Sequence, residues 1–252
     1  MIPSLLHQLL LRRPRLYSRI LGLLRRGSIE KRLFLRLIQP GWTVCDVGAN
    51  RGHFTRLFSE LAGPAGAVLA FEPSPATFAV LQSAMADVPT IGNTTLFPLA
   101  LSDEEGGAAL HQPGADDGQA SLRTHDAGSW KEPSDVQSFD CKLARLDDLA
   151  RPWPRLDFIK LDVEGGELPA LRGAQRTLAR YSPIVFAEVY EAWTAAFGYR
   201  PGDLVEFLRA NGYTVFYLVG DRVRRYQPGE PISGPANLLA AKSGALPDGL
   251  EA

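Results

Sequence analysis

Three charged residues at alternate positions raise the question of chemistry. In Asp-Phe-Ile-Lys-Leu-Asp-Val-Glu-Gly-Gly-Glu, residues 157–167, Lys160, Asp162 and Glu164 recur at every second position, and side chains two apart on a strand share a face. Charges are seldom buried unpaired, so three on one face of an apolar strand predict a polar cleft or an ion-pair network. Gly165-Gly166 keeps the carboxyl end of that strand open for a ligand. If the ligand offers a hydroxyl, Asp162 is the first candidate to take its proton and Glu164 the second. Lys160 would orient the carboxylate or stabilise the developing alkoxide. An ordinary carboxylate, with a pKa of about 4, is a weak base for an alcohol unless burial raises it, so His53 and His125 stand as alternative bases. Tyr190, Trp193 and Tyr199 could wall an acceptor site or simply fill the core.

A second constellation is Thr-Val-Cys-Asp-Val-Gly-Ala-Asn-Arg-Gly-His-Phe-Thr, residues 43–55, which reads as a buried strand, a glycine turn and a helix start. Gly48 and Gly52 would let the backbone pass close to a ligand, and the helix start offers unpaired N–H groups. The ligand class follows by exclusion. A P-loop needs Lys and then Ser or Thr after its last glycine, whereas His53 and Phe54 follow Gly52. A dinucleotide fingerprint needs three glycines, whereas Ala49, Asn50 and Arg51 separate only two. Asp46 would repel a pyrophosphate and attract a cationic sulfonium or ammonium. Glu72, in Leu-Ala-Phe-Glu-Pro, can accept hydrogen bonds from both hydroxyls of a ribose, a group shared by NAD and S-adenosylmethionine.

The elements that must position these residues alternate, as in βαβ units. Strands are expected at 43–47, 67–71, 95–98, 157–163, 184–189 and 213–219, with helices at 52–61, 75–86, 167–179 and 201–211. The apolar piece 236–240 is expected to pair antiparallel at the sheet edge. Residues 102–146 break the rhythm; a structureless loop of that length is uncommon in a compact domain, so short strands and a functional loop are expected there.

The combination of DVGANRG, FEP, ALSD (Ala100 to Asp103), KLDVEGGE (Lys160 to Glu167) and Leu-Arg-Gly-Ala (171–174) resembles the FkbM-type methyltransferases over roughly residues 40–220. The resemblance implies a Rossmann-like class I methyltransferase fold: α/β, with a mostly parallel central sheet, helices on both faces and an antiparallel edge strand. It implies S-adenosylmethionine as cofactor, with Asp46, Gly48, Asn50 and Gly52 around its methionine part, Glu72 at its ribose, and Ser102 with Asp103 on the adenine side. Ala49 and Pro73 belong to the same cofactor-binding set. It also favours O-methylation of a hydroxyl on a sugar, natural product or lipid-linked glycan, with a small-molecule or glycan acceptor as partner. The competing readings are an NAD(P)-dependent oxidoreductase and a non-catalytic adenosyl-ligand-binding protein.

The 252-residue chain, with 45% hydrophobic residues and a formal net charge of −1, predicts one folded domain and no nucleic-acid partner. Residues 1–39 read as a basic helical N-terminal appendage, interrupted near Pro14, and residues 40–252 as the methyltransferase domain. Residues 1–36 carry nine basic residues against one acid, Glu30, which suggests either a solvated helix or peripheral contact with a membrane surface or anionic acceptor. The apolar start is too short to span a bilayer and its arginines follow rather than precede it, so no export and a cytoplasmic location are expected. Cys45 and Cys141 lack metal-ligand spacing and read as reduced thiols; no metal is expected.

Overall fold

A computed structural model of the chain describes residues 9–24, 26–86, 93–114, 117–125, 135–220, 222–247 and 249–251. The first eight residues, Arg25 and parts of the 102–146 stretch (115–116 and 126–134) lie outside the described residues, as does His7.

Five strands form the parallel heart of the sheet. These are β1 (Thr43–Val47), β2 (Ala67–Phe71), β3 (Thr94–Phe97), β7 (Phe158–Leu161) and β8 (Ile184–Val189). β1 pairs with β2 on one side and β7 on the other; β3 lies beyond β2 and β8 beyond β7, all parallel. Because the chain leaves β1 in one direction and later returns on its other side, β1 and β7 flank the switch point of the sheet. Crevices at the carboxyl ends of strands at such a point are the usual ligand sites of open α/β sheets.

The sheet continues through β11 (Ala236–Ala241), β9 (Thr214–Val219) and β10 (Arg222–Arg225). β11 is antiparallel as expected, but it is inserted between β8 and β9, and the antiparallel strand at the edge is β10. Its composition explains the inner place: Leu238, Leu239, Ala240 and Ala241 are all buried, whereas three of the four residues of β10 are exposed arginines.

Each face of the sheet has its own core. One face packs on α5 (Leu146–Leu149), α6 (Glu167–Arg172), α7 (Gln175–Tyr181) and α9 (Pro201–Ala210), through residues such as Cys45, Val47, Ile159, Leu161, Leu171 and Leu208. The single helix expected at 167–179 is divided at Gly173. A Cβ there would lie 1.9 Å from the Ser102 carbonyl oxygen, and α7 restarts because Asp147 accepts from the Arg176 and Thr177 N–H groups, an N-cap delivered from α5.

The opposite face is covered by α1 (Pro14–Leu23), α2 (Ile29–Leu37) and α3 (His53–Ala62). The helical stretch is broken at Arg12–Arg13, between helical residues 9–11 and α1, and Pro14 begins α1, a position where its missing N–H costs nothing. Ser28 caps α2 by accepting from the Lys31 N–H. Phe34 of α2 is fully buried, with its ring 5.0–5.6 Å from those of Phe54, Phe58, Phe158 and Phe186. Burying a Phe side chain stabilises by about 1.5–3 kcal/mol, so the second half of the basic stretch is built into the core instead of hanging from it.

The 102–146 stretch forms a second small sheet, in which β6 (Val136–Ala144) pairs antiparallel with β5 (Gly106–Pro113) and parallel with the two-residue β4 (Ala100–Leu101). α4 (Pro75–Ala86) packs Leu81 and Met85 against Ala49 and Ala70. α8 (Glu191–Thr194) follows β8.

Candidate functional site

A cavity of about 340 Å³ opens at the carboxyl ends of β1, β2 and β7, within the size range of small-ligand sites. Its floor is the turn after β1. Gly48 has φ +75°, and a Cβ on it would lie 1.9 Å from the Asp162 carbonyl oxygen, so only glycine allows the turn to lie against the end of β7. Gly52, with φ +86°, caps α3 and packs on Leu81; it shapes the turn but does not line the cavity.

Lys160 stands at the centre. It is Asp46's register partner across the parallel β1–β7 pair, so the two side chains rise from the same face. Its Nζ donates to the Gly48 carbonyl at 2.9 Å and lies 3.2 Å from Asp46 Oδ1 and 3.4 Å from Asp162 Oδ2. Burial alone would lower the Lys160 pKa, but Asp46 and then Asp162 more than reverse this and leave it above its ordinary value. The ammonium therefore stays charged inside the protein.

Asp46 corrects an expectation. It was expected to face the ligand, yet it is fully buried, lies behind the cavity wall, and its other oxygen accepts from Thr55 Oγ1 at 2.7 Å. Thr55 Oγ1 and the Lys160 ammonium flank the carboxylate, which holds the lysine from behind the cavity wall.

The shared face of Lys160, Asp162 and Glu164 also needs correction. The strand ends at Leu161, before both carboxylates. Asp162 still reaches Lys160, with its side chain 32% exposed toward the cavity. Glu164 adopts a left-handed φ of +53°, its carbonyl accepts from Ser121 Oγ at 2.8 Å, and it too lines the cavity.

Glu72 closes the opposite wall. Its two oxygens accept from the N–H groups of Asn50 and Ser74, both at 2.9 Å, which fixes the carboxylate and ties the β2 end to the glycine turn. Ala49, Asn50 and Pro73 line the cavity beside it. Ser102 and Asp103 do not; the wall on that side is Leu99, Ala100 and Leu101. The Ser102 backbone is occupied elsewhere, its N–H donating to Ala144 and its carbonyl packed against Gly173.

A family model described as the methyltransferase FkbM domain matches residues 46–215, more than half of the chain. The chain belongs to the FkbM methyltransferase family. It is 29% identical over 205 residues to the 31-O-demethyl-FK506 methyltransferase FkbM of Streptomyces tacrolimicus, covering 71% of this chain and 75% of that one. It is 33% identical over 147 residues to Methyltransferase 1 of Beauveria bassiana, covering 52% and 57%. Among solved structures, the methyltransferase FkbM of Methylobacillus flagellatus aligns over 84% of this chain and 50% of its own, at 16% identity and a TM-score of 0.49.

Several cavity residues of this FkbM-family chain escape sequence reading. Leu110, Gly118, Ala120, Ser121 and Leu122 form a roof from β5 and the segment after it; the only signal in the sequence is that a functional loop is due there. Arg51 and Phe54 come from the turn and the first turn of α3, and Lys160 Nζ lies 5.6 Å from the Phe54 ring centroid. His53 lines the cavity, and burial followed by the Lys31 charge lowers its pKa. His125 is buried and does not line it.

Glu188 is hidden within the apolar-looking Ile-Val-Phe-Ala-Glu-Val of β8. It shares the sheet face of Lys160, and burial, then the carboxylates Asp162 and Glu30, push its pKa up to about 7. Its register partner Asn237 donates to Glu30 of α2 at 2.6 Å. Tyr199 is core, as one reading allowed: its hydroxyl donates to the Gly165 carbonyl at 2.8 Å and lies 3.2 Å from Glu167 Oε2. Cys45 and Cys141 are free and buried.

Proposed function

We propose that this methyltransferase transfers the methyl group of S-adenosylmethionine to a hydroxyl of a small-molecule or glycan acceptor, such as a sugar, natural product or lipid-linked glycan. The observation that carries the reading is the pairing of two fixed walls across one cavity: Glu72 pinned by two backbone N–H groups, and Lys160 with Asp162 facing it over the Gly48 turn.

The residues fit the cofactor. Glu72 lines the cavity, and a carboxylate there can accept from the hydroxyls of a ribose. Leu99, Ala100, Leu101 and Leu110 offer apolar surface to a flat base. The Gly48 turn has no side chain to fill the space needed by the amino-acid end. S-adenosylmethionine would supply an electrophilic methyl group on a sulfonium. The chain's own task is then to align the acceptor oxygen with that methyl, exclude water beneath the roof of Leu110, Ala120 and Leu122, and take the hydroxyl proton. Asp162 is the first candidate for the proton and Glu164 the second, both on the cavity wall; Lys160 orients Asp162 and stabilises a developing alkoxide. The hydroxyl acceptor is supported by a relative named for an O-demethylated compound.

Calorimetric titration with S-adenosylmethionine, S-adenosylhomocysteine and NAD tests the cofactor. S-adenosylhomocysteine is expected to bind in the micromolar range. Glu72→Ala should weaken it about 10- to 100-fold, the equivalent of hydrogen bonds to a charged group, with Glu72→Gln as the shape-preserving control. Binding of NAD without the adenosyl ligands would overturn the reading.

A further inference from the structure

The face of α1 that turns away from the core is neither apolar nor polar but both. Tyr17, Ser18 and Leu21 point inward and are buried. Leu16, Arg19 and Leu23 lie at i, i+3 and i+7 on the outward side, with Leu16 45% and Leu23 85% exposed. Leu9 (53%) and Leu24 (56%) extend the exposed apolar surface, and Arg12, Arg13 and Arg26 are exposed around it.

We infer that this face docks the protein on an anionic lipid bilayer, with the leucines inserted at the level of the acyl boundary and the arginines at the headgroups. Leucines left exposed on a basic helix gain by leaving water, and the long arginine stems let the guanidinium reach phosphate while the apolar part follows the leucines. Charge distribution selects the surface and the orientation. Residues 1–36 carry nine Lys or Arg and one acid, so the remaining residues carry 18 basic against 27 acidic. An acidic body is repelled by anionic lipid, and only the α1 end is drawn to it.

The same facts disfavour other occupants. A two-fold contact between copies of this face would set Arg12, Arg13 and Arg19 against their own copies, because such an interface is self-complementary. A nucleic-acid backbone would use the arginines and give the leucines nothing. No helix among the described residues is long and apolar enough to cross a membrane, and the attachment inferred is peripheral. The inference holds whether or not the cavity transfers methyl groups.

Co-sedimentation of the full chain with vesicles of phosphatidylcholine, with and without phosphatidylglycerol, tests it, alongside sedimentation velocity without lipid. Binding is expected only to the vesicles containing phosphatidylglycerol. Leu16→Ser with Leu23→Ser should reduce it at least tenfold, and Arg12→Gln with Arg13→Gln and Arg19→Gln at least as much. All these positions are exposed, so unfolding temperatures should stay near that of the parent and S-adenosylhomocysteine binding should be unchanged. Absence of binding overturns the proposal, as does binding indifferent to the leucine changes, which would mark an electrostatic partner only. A self-association abolished by the leucine changes in a protein that ignores vesicles would assign the face to a second copy.

Discussion

Two buried charged groups lie seven residues apart in the chain, on opposite faces of the sheet, and their surroundings treat charge in opposite ways. Lys160 lies between two carboxylates, and its pKa rises so that it remains an ammonium. Glu167 is fully buried with no cationic partner among the described residues; its Oε1 accepts from the Val163 and Gly165 N–H groups, both at 3.2 Å, and its other oxygen meets the Tyr199 hydroxyl. Burial, only partly offset by those N–H groups, pushes its pKa up to about 7. Lys160 faces the cavity and presents a fixed charge. Glu167 lies behind the 162–166 loop and holds its shape. The same strand end thus needs an ion pair where a ligand is to feel charge and dipoles where only geometry is required.

The comparison breaks most visibly at the ion pair. Lys160→Met leaves Asp46 buried without its cation and is expected to cost about 3–5 kcal/mol by chemical denaturation. Adding Asp46→Asn should recover a large part of that loss. A single variant as stable as the parent would mean that Lys160 does not hold Asp46.

Glu167 sharpens the contrast through pH. A carboxyl whose pKa is about 7 when folded, against an ordinary 4.5, binds more protons folded than unfolded between those values. Its contribution to stability is therefore greatest below about pH 4.5, declines as pH rises from 4.5 to 7, and is fully lost above 7. At about 1.4 kcal/mol per pKa unit this amounts to at most roughly 3.5 kcal/mol. Glu167→Gln keeps an acceptor for the two N–H groups, so its denaturation free energy should vary less across that window than the parent's. The raised pKa of Glu188 leaves a residual slope of the same sign. Equal slopes in the two proteins would remove Glu167 from this role.

The smallest effect is expected at Asp103. It lies outside the cavity, so Asp103→Asn should change S-adenosylhomocysteine affinity by less than about twofold and stability by less than about 0.5 kcal/mol. A tenfold loss of affinity would return it to the cofactor wall.

What the sequence by itself determined is the order of strands and helices, the glycine turn with Glu72, and the presence of charge at the end of β7. These depend on properties local to a few residues: periodicity, a positive φ, a short charged run. Which charges line the cavity was decided only by the tertiary structure. Alternation in KLDVEG could not reveal that the strand stops at Leu161, where Gly48, 114 residues away in the chain, packs on the Asp162 carbonyl. Asp46, expected at the ligand, lies outside the cavity lining with Lys160 as its register partner. Likewise Leu110 with Gly118, Ala120, Ser121 and Leu122 became a roof, α2 became core through Phe34, and β11 slid inside the sheet edge. Each of these outcomes depends on which distant segment covers which face, and pairwise packing of that kind leaves no periodic trace in either segment alone.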